Sequence, residues 1–334
     1  MFKFRKSRVR ILPAAAALLL AVLLADIWAS YHILQVTAYS LQSDRITHSM
    51  RIVLITDLHN VSSFGEGNRK LADQIREQEP DLILFAGDLI NKDSPNLSVA
   101  CTLLSQLTEI APTYVSYGNQ EIHYNAFREH TYHDRLVSKP LTTAMEEIRQ
   151  RIRMHTGESG DLTYGSVPAD AIAPDYSAAG AVVLENAWQD LEIKGNRLRI
   201  GGNYCYCFGL GNSTALSAMD PDRYAYLTSF TETEDRYRIL MVHRPDSLIF
   251  AKGEPWQMEL AVSGHNHGGQ VILPFLGGLY GGDQGWFPQY DFGRFSLQGV
   301  RDFIITRGLS SAEQLLPRFN NLPEIVVIDL EPQG

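Results

Sequence analysis

Cysteine is scarce in this chain: Cys101, Cys205 and Cys207 are the only three among 334 residues. So few cannot build a disulfide framework, and no cluster of thiolates is available for a soft metal. Cys205 and Cys207 alternate on a strand-like run and are expected as buried free thiols. Positive charge is scarce too, except at one end. Five of the 29 Lys and Arg fall within the first ten residues, so the remaining body faces 38 Asp and Glu with a deficit of cations. That balance argues against a broad nucleic-acid surface, and no nucleic acid is expected as a partner. Pro/Ser-rich linkers and internal repeats are missing, so the length after the N-terminal segment reads as one large domain. Long apolar stretches are limited to one.

That stretch opens the chain. Residues 1–10 form a basic flank, with Lys3, Arg5, Lys6, Arg8 and Arg10, and residues 11–34 follow as a largely apolar run. At 1.5 Å per residue, Ile11 to Leu34 crosses a hydrocarbon core of about 30 Å with moderate tilt. Basic residues on the N-terminal side favour a cytoplasmic N-terminus, and Trp28 and Tyr31 suit the far interface. A cleaved signal peptide is the rival reading. No Ala-x-Ala site follows the run, and Asp26 and Trp28 occupy the places where small residues would be wanted. The expectation is a single-pass signal anchor in the cell membrane, with the catalytic body outside the cytoplasm.

The body, residues 50–331, begins with strand, helix, strand, helix, strand. Arg51–Thr56 ends in Asp57-Leu58-His59. A helix over about Asn68 to Gln78 leads to Asp81–Ala86 and then Gly87-Asp88, with Asn91 three residues on. A second helix, roughly Leu97 to Glu109, leads to Pro112–Tyr117 and then Gly118-Asn119-Gln120-Glu121. This alternation predicts an α/β fold with parallel strands, whose ligand sites lie beyond the carboxyl ends of the strands. All three junctions place polar residues there. Residues 125–174 break the pattern and read as an insertion, with an amphipathic helix over Leu141 to Met154 that is either a surface helix or a cap over the site.

Regular strands resume at Ala181–Leu184, Leu191–Ile193 and Arg197–Gly202, expected as an antiparallel meander. Arg238–Val242 then delivers His243, and Met258–Ser263 delivers Gly264-His265-Asn266-His267-Gly268-Gly269-Gln270. A lone His-x-His is more often solvated than metallated. Here it joins four other junctions that each end in a metal-binding residue. Together they offer Asp57, His59, Asp88, Asn119, His243, His265 and His267. This oxygen and nitrogen set suits two divalent ions, with Mn, Fe, Zn and Mg all eligible. Two ions about 3.5–4 Å apart, bridged by a carboxylate, clamp an in-line displacement at phosphorus, and attack by metal-bound hydroxide is the expected mechanism.

Asp-x-His, Gly-Asp, Gly-Asn-x-Glu, a lone His and Gly-His-x-His, in that order, resemble the motifs of the calcineurin-like metallophosphoesterases. The Asp-Leu-His-Asn opening, Gly-His-x-His-Gly-Gly-Gln, Arg307-Gly308-Leu309 and Pro317-Arg318 resemble its membrane-anchored bacterial phosphodiesterase branch. The resemblance implies a four-layer α/β/β/α sandwich. It also implies that Asp57, His59 and His267 hold one ion, that Asn119, His243 and His265 hold the other, and that Asp88 bridges them.

One position departs. Where such families usually carry a His that protonates the leaving oxygen or steadies the transition state, this chain has Gln120. An amide is no general acid, although its NH2 can still donate to a phosphoryl oxygen. A phosphate-leaving pyrophosphate in a lipid or cell-envelope precursor is therefore expected beside a simple diester as substrate. His123 is a further candidate donor. The competing class is a membrane-tethered protein that binds metal and phosphate without turnover, and hydrolysis of a non-phosphate ester is a third reading. The intact set of seven ligands favours catalysis.

Overall fold

The computed structural model describes residues 8–128, 172–203, 221–233, 235–249, 256–281, 284–311 and 316–334. The expected helix over Leu141 to Met154, most of the insertion, and Cys205 and Cys207 lie outside the described residues. The chain starts with α1 (Arg8–His32), followed by β1 (Gln35–Ser43) and β2 (Met50–Ile55). Next come α2 (Arg69–Arg76), β3 (Leu82–Ala86), α3 (Ser98–Thr108), β4 (Thr113–Ser116) and α4 (Asn119–Arg128). Beyond the insertion are β5 (Val182–Val183), β6 (Ala187–Ile193), β7 (Asn196–Asn203), β8 (Tyr237–Val242) and β9 (Met258–Ser263). Two small hairpins follow, β10 (Ile272–Leu273) with β11 (Gly277–Gly278), and β12 (Tyr280–Gly281) with β13 (Gly285–Trp286). The last strands are β14 (Gly293–Leu297), β15 (Val300–Ile305) and β16 (Glu324–Pro332).

These strands make two six-stranded sheets, in the orders β1-β16-β2-β3-β4-β5 and β14-β15-β9-β8-β7-β6. Alternation along β2 shows how the layers arise. Val53 and Ile55 pack with Leu71, Ile75, Leu103, Leu104 and Leu107 from α2 and α3. Ile52 and Leu54 point the other way, toward Leu198, Ile200, Ile239, Met241, Leu260 and Val262 of the second sheet. The far face of that sheet, with Leu240, Val242 and Phe303, is covered by Tyr226, Leu227 and Phe230 from a helix over Pro221–Thr231. Three apolar layers between four structural ones make the α/β/β/α sandwich that the sequence implied. Helix α3 buries Ala100, Leu103, Leu104 and Leu107, the i, i+3, i+4, i+7 stripe of a helix lying on a sheet.

β2, β3, β4 and β5 run parallel, as do β7, β8, β9 and β15, so the carboxyl ends of eight ligand-bearing or neighbouring strands open on one edge. Two parts of the sequence reading are corrected. Val182–Val183 does not join a meander; it extends the first sheet in parallel to β4, while β6 and β7 form the antiparallel pair in the second. A parallel neighbour needs a long crossover, and the segment between β4 and β5 supplies it. The second correction is β1, which no sequence pattern announced. It pairs in parallel with β16 from Gln35 opposite Glu324 to Ser43 opposite Pro332. Its alternation of half-buried and exposed residues suits an edge strand.

Helix α1 is the one described helix long and apolar enough to cross a membrane, over Ala15–His32. Its apolar side chains stay exposed through Leu24, and burial begins only at its end, where Ser30 is fully covered.

At the end of the sheets away from the ligand junctions, Glu259 is buried at the start of β9. It accepts from Arg238 through Nε at 2.9 Å, Nη2 at 2.8 Å and the backbone N–H at 2.9 Å. Glu259→Ala leaves the Arg238 charge buried without its carboxylate, a loss expected to cost about 3–5 kcal/mol. Chemical denaturation checks this. Metal affinity of the folded variant should stay at the wild-type value, since Glu259 lies at the opposite end of β9 from His265.

Candidate metal centre

Each expected ligand stands just beyond a strand, and their backbones are laced together. Asp57 N–H donates to Gly87 O and His59 N–H to Asp88 O, both at 3.0 Å, which ties the first two junctions. Gly264 N–H donates to His243 O at 3.0 Å, which ties the last two. Asp57, His59, Asp88, His265 and His267 all take positive φ, between 47° and 69°. Non-glycine residues seldom sit there, and each instance costs on the order of 1–3 kcal/mol that the surroundings must over-determine. The strain turns these side chains out of the strand direction and into one space.

Two groups result. Asp57, His59 and His267 offer ligand atoms within 4.8 Å of one another, and so do Asp88, His243 and His265. Asp57 Oδ1 lies 3.7 Å from Nε2 of both His59 and His267, and 3.8 Å from Nε2 of His243. Asp88 Oδ2 lies 3.0 Å from Nε2 of His243 and 3.8 Å from Nε2 of His59, so both carboxylates reach into both groups, Asp88 at the shorter distance. These are separations of atoms that share an ion at about 2.0–2.2 Å.

The outer nitrogens decide how the rings are used. Nδ1 of His59 is 2.7 Å from Asn91 Oδ1, that of His243 is 2.8 Å from Ala86 O, and that of His267 is 2.7 Å from Ser310 O. Each of these oxygens demands a donor, so Nδ1 carries the proton and Nε2 keeps its lone pair toward the centre. Inside the site, Nε2 of His59 and of His243 are buried without a hydrogen-bond partner, and so is Oδ1 of Asn119 at the start of α4. Buried polar atoms left this way are costly unless something else engages them. Two divalent cations fit the requirement: three orphaned lone-pair atoms, two carboxylates and no sulfur.

Electrostatics agree. Burial alone would raise the carboxyls of Asp57 and Asp88, but the imidazoles of His267, His243 and His59 hold Asp57 well below the usual carboxylate range, and His243 and His59 lower Asp88. The acids in turn overcome burial at His59 and His243 and push both up to about 9. His267, where burial dominates, is pulled down to about 3. The centre therefore draws positive charge to itself: without ions, protons on Nε2 of His59 and His243 supply it at neutral pH, and cations would supply it by displacing those protons and taking up the Nε2 lone pairs.

Close approach of the backbone is part of the design. A Cβ at Gly118 would collide with Asp88 Oδ1, and one at Gly264 with Asp57 Oδ2 and Thr56 Oγ1. Asp57 is further fixed by Thr56 Oγ1 at 2.5 Å and by His265 N–H at 3.2 Å.

Gln120 is buried beside Asp88. Its N–H donates to Asp88 Oδ1 at 2.9 Å, and its Oε1 accepts from Lys92 N–H at 2.8 Å, which fixes the amide's orientation. The side chain of His123 lies outside the described residues.

The profile of the family described as calcineurin-like phosphoesterase matches residues 50–275. The chain belongs to that family. Phosphodiesterase YaeI of Escherichia coli is 27% identical over 255 residues, 76% of this chain and 72% of its own length. A Bacillus subtilis protein named uncharacterized metallophosphoesterase YkuE is also 27% identical, over 310 residues that cover 90% of this chain and 86% of that protein. Among solved structures, a 5'-nucleotidase precursor from Thermus thermophilus matches with a TM-score of 0.40 and 13% identity, covering 78% of this chain and 48% of that one. The chain is a metal-dependent phosphoesterase, and the family together with the two ligand groups points to a dinuclear divalent site.

Three residues that hold the site had no role in the sequence reading: Glu121 and Arg318 stood there only as parts of motifs, and Ser310 was not singled out. Glu121 is fully buried and accepts four backbone N–H bonds, from Asp88 (2.9 Å), Leu89 (2.7 Å), Ile90 (3.3 Å) and Gly118 (2.8 Å). Burial and the neighbouring Asp88 charge push its carboxyl up to about 7, against the pull of those donors. Arg318 and Ser310 form a second brace. The Arg318 guanidinium is wholly buried and donates to the carbonyls of Arg307, Gly308, Leu322 and Asn321 and to Asn321 Oδ1. Asn321 Nδ2 donates to His267 O at 2.7 Å. The signal for Glu121 was its fixed place in Gly-Asn-x-Glu, two residues after a ligand.

Glu121→Gln tests the first brace. An amide would turn one acceptor end into a donor facing backbone N–H groups, loosening the turn that carries Asp88. Metal affinity, measured by competition with a chelator, should fall roughly 10–100-fold. Unchanged affinity would show that the turn holds without the carboxylate.

Proposed function

We infer that the protein is a dinuclear-metal phosphohydrolase acting on a phosphodiester or pyrophosphate, in a lipid or cell-envelope substrate beside the membrane that α1 enters. The observation that carries the reading is the pair of ligand groups joined at Asp88. In this reading Asp57, His59 and His267 hold one ion, Asn119, His243 and His265 hold the other, and Asp88 bridges them. Two divalent ions there would supply Lewis acidity, lowering the pKa of a water and offsetting charge at phosphorus. The chain's own residues do the rest. Ala86 O, Ser310 O and Asn91 Oδ1 keep the imidazoles in the ligating tautomer. Gly118 and Gly264 leave room for the carboxylates. Gln120, held at its Oε1 by Lys92 N–H and at its backbone N–H by Asp88, would offer an amide to the phosphoryl group in place of an acid.

Asp88→Asn is expected to remove far more activity toward an aryl phosphodiester than Asn119→Ala, which takes one neutral ligand from one ion. Small, equal losses in both would contradict a bridging role for Asp88.

Without a proton donor at position 120, the leaving group must carry its own negative charge. Rates across a series of aryl phosphodiesters should fall steeply as leaving-group pKa rises. Gln120→His should help mainly the poorest leaving groups, by up to ~10²-fold, and barely affect nitrophenyl or phosphate leaving groups. A flat dependence in the wild type, with chemistry rate-limiting, would point to another donor.

The runner-up, metal and phosphate binding without turnover, rests on Gln120 alone. Absence of turnover by a metal-loaded protein, across diesters and pyrophosphates, would favour it.

A further inference from the structure

Four large apolar side chains stand exposed in the two small hairpins that follow His267. Phe275 is fully exposed, Leu276 and Trp286 are each 65% exposed, and Phe287 is 54% exposed. Across residues 271–290 Asp283 is the one charged side chain. Sparsely charged, aromatic-rich loops of this kind are costly in water and mark a contact surface.

The structure also indicates what lies against them. The last turns of α1 dock onto the loop at 318–321. Asp26 Oδ2 accepts from Asn320 N–H at 2.6 Å, Ser30 Oγ accepts from Asn321 N–H at 3.3 Å, and the Tyr31 hydroxyl oxygen accepts from Arg318 N–H at 3.1 Å. The same loop holds the first hairpin. Ile272 N–H donates to Phe319 O at 3.0 Å, and Asn320 Nδ2 donates to Ile272 O at 3.0 Å. Asn320 thus joins the helix and the hairpin directly. Phe275 lies three residues past Ile272, a reach of about 10 Å at 3.3 Å per residue. The second hairpin is coupled to the first, since Leu279 N–H donates to Val271 O and Phe287 N–H donates to Leu279 O. Apolar side chains of α1 are exposed through Leu24, two residues before Asp26, and Trp28 just beyond is 58% exposed, an interfacial residue type, so the bilayer surface that α1 implies lies close to this loop.

We propose that the tips Phe275-Leu276 and Trp286-Phe287 enter the interfacial layer of the bilayer that α1 spans, holding the metal centre at headgroup height. The proposal rests on the reading of α1 as a membrane span. Aromatic side chains partition to that layer and would fix the tilt of the domain. The hairpins adjoin the ligand turn itself: Gly278 packs against Gly268 and Gly269, and Asn266 Nδ2 donates to Tyr290 O. A phosphate at headgroup level would then meet the site without leaving the membrane.

The test uses the full chain with Trp28→Phe, which removes the tryptophan of α1 and keeps a ring against His32. The protein is reconstituted into phospholipid vesicles whose acyl chains are brominated near the headgroup. Trp286 should lose most of its emission, and the loss should disappear when Trp286→Phe is added, leaving Trp188 and Trp256 as the remaining fluorophores. Protein that floats with the vesicles while Trp286 stays unquenched would overturn the hairpin contact and leave α1 as an anchor. Protein that fails to float would overturn the anchor reading, and this proposal with it.

Discussion

Two carboxylates buried side by side set the terms for this protein. Asp57 and Asp88 are removed from water and share the approach of three imidazoles, with acid oxygens 3.0–3.8 Å from Nε2 atoms. Isolated buried charges of this kind would be prohibitive, and pairing with cations is what makes them tolerable. The rest of the centre serves that arrangement. Glycines clear space at the carboxylates, outer acceptors hold the imidazole tautomers, and Glu121 and Arg318 tie down the turns from behind. Backbone strain at five ligand positions serves the same arrangement, since left-handed conformations at the strand ends turn those side chains toward one point, while His243 reaches it from ordinary backbone.

Much of this was legible beforehand because parallel strands have an informative end. Each of Asp57, Asp88, Asn119, His243 and His265 follows a short apolar run, and that repetition separated ligands from incidental polar residues. The structure gathers six of the seven expected ligands into two adjoining groups, and Asn119 begins the helix next to them. The run from Arg51 to Tyr117 also came out as drawn, since its helices carry one apolar stripe and its strands are buried on both faces. What escaped was encoded in long-range pairing. Gln35–Ser43 alternates like any edge strand, and only β16, almost three hundred residues away, gives it a place. Val182–Val183 is too short for periodicity to say which sheet it joins.

The second sphere was harder still. Ala86 and Ser310 act through their carbonyl oxygens, which no side-chain pattern records. Glu121 read as part of a motif, yet its role is to collect four N–H groups from two turns, and this depends on distances rather than spacing. Left-handed φ at His59 or His265 is likewise invisible in residue types, since glycine would be the ordinary signal and histidine stands there instead. Function overrode local preference at these positions, and the sequence shows only the outcome.

Arg318 connects the two ends of the molecule's logic. Burial pulls its guanidinium down to about 10, still charged at neutral pH, and its donors are spent on carbonyls of the loops around His267 rather than on a carboxylate. The same residue's N–H donates to Tyr31 of α1, and its neighbour Asn321 reaches both Ser30 and the His267 carbonyl. One short loop therefore fixes a metal ligand on one side and the end of the apolar helix on the other. A helix that served only as a flexible tether would need neither contact. Docking at Asp26, Ser30 and Tyr31 fixes the end of this helix against the loop that braces His267, so under the proposal that α1 spans a membrane the same contacts would set the orientation of the site to that membrane.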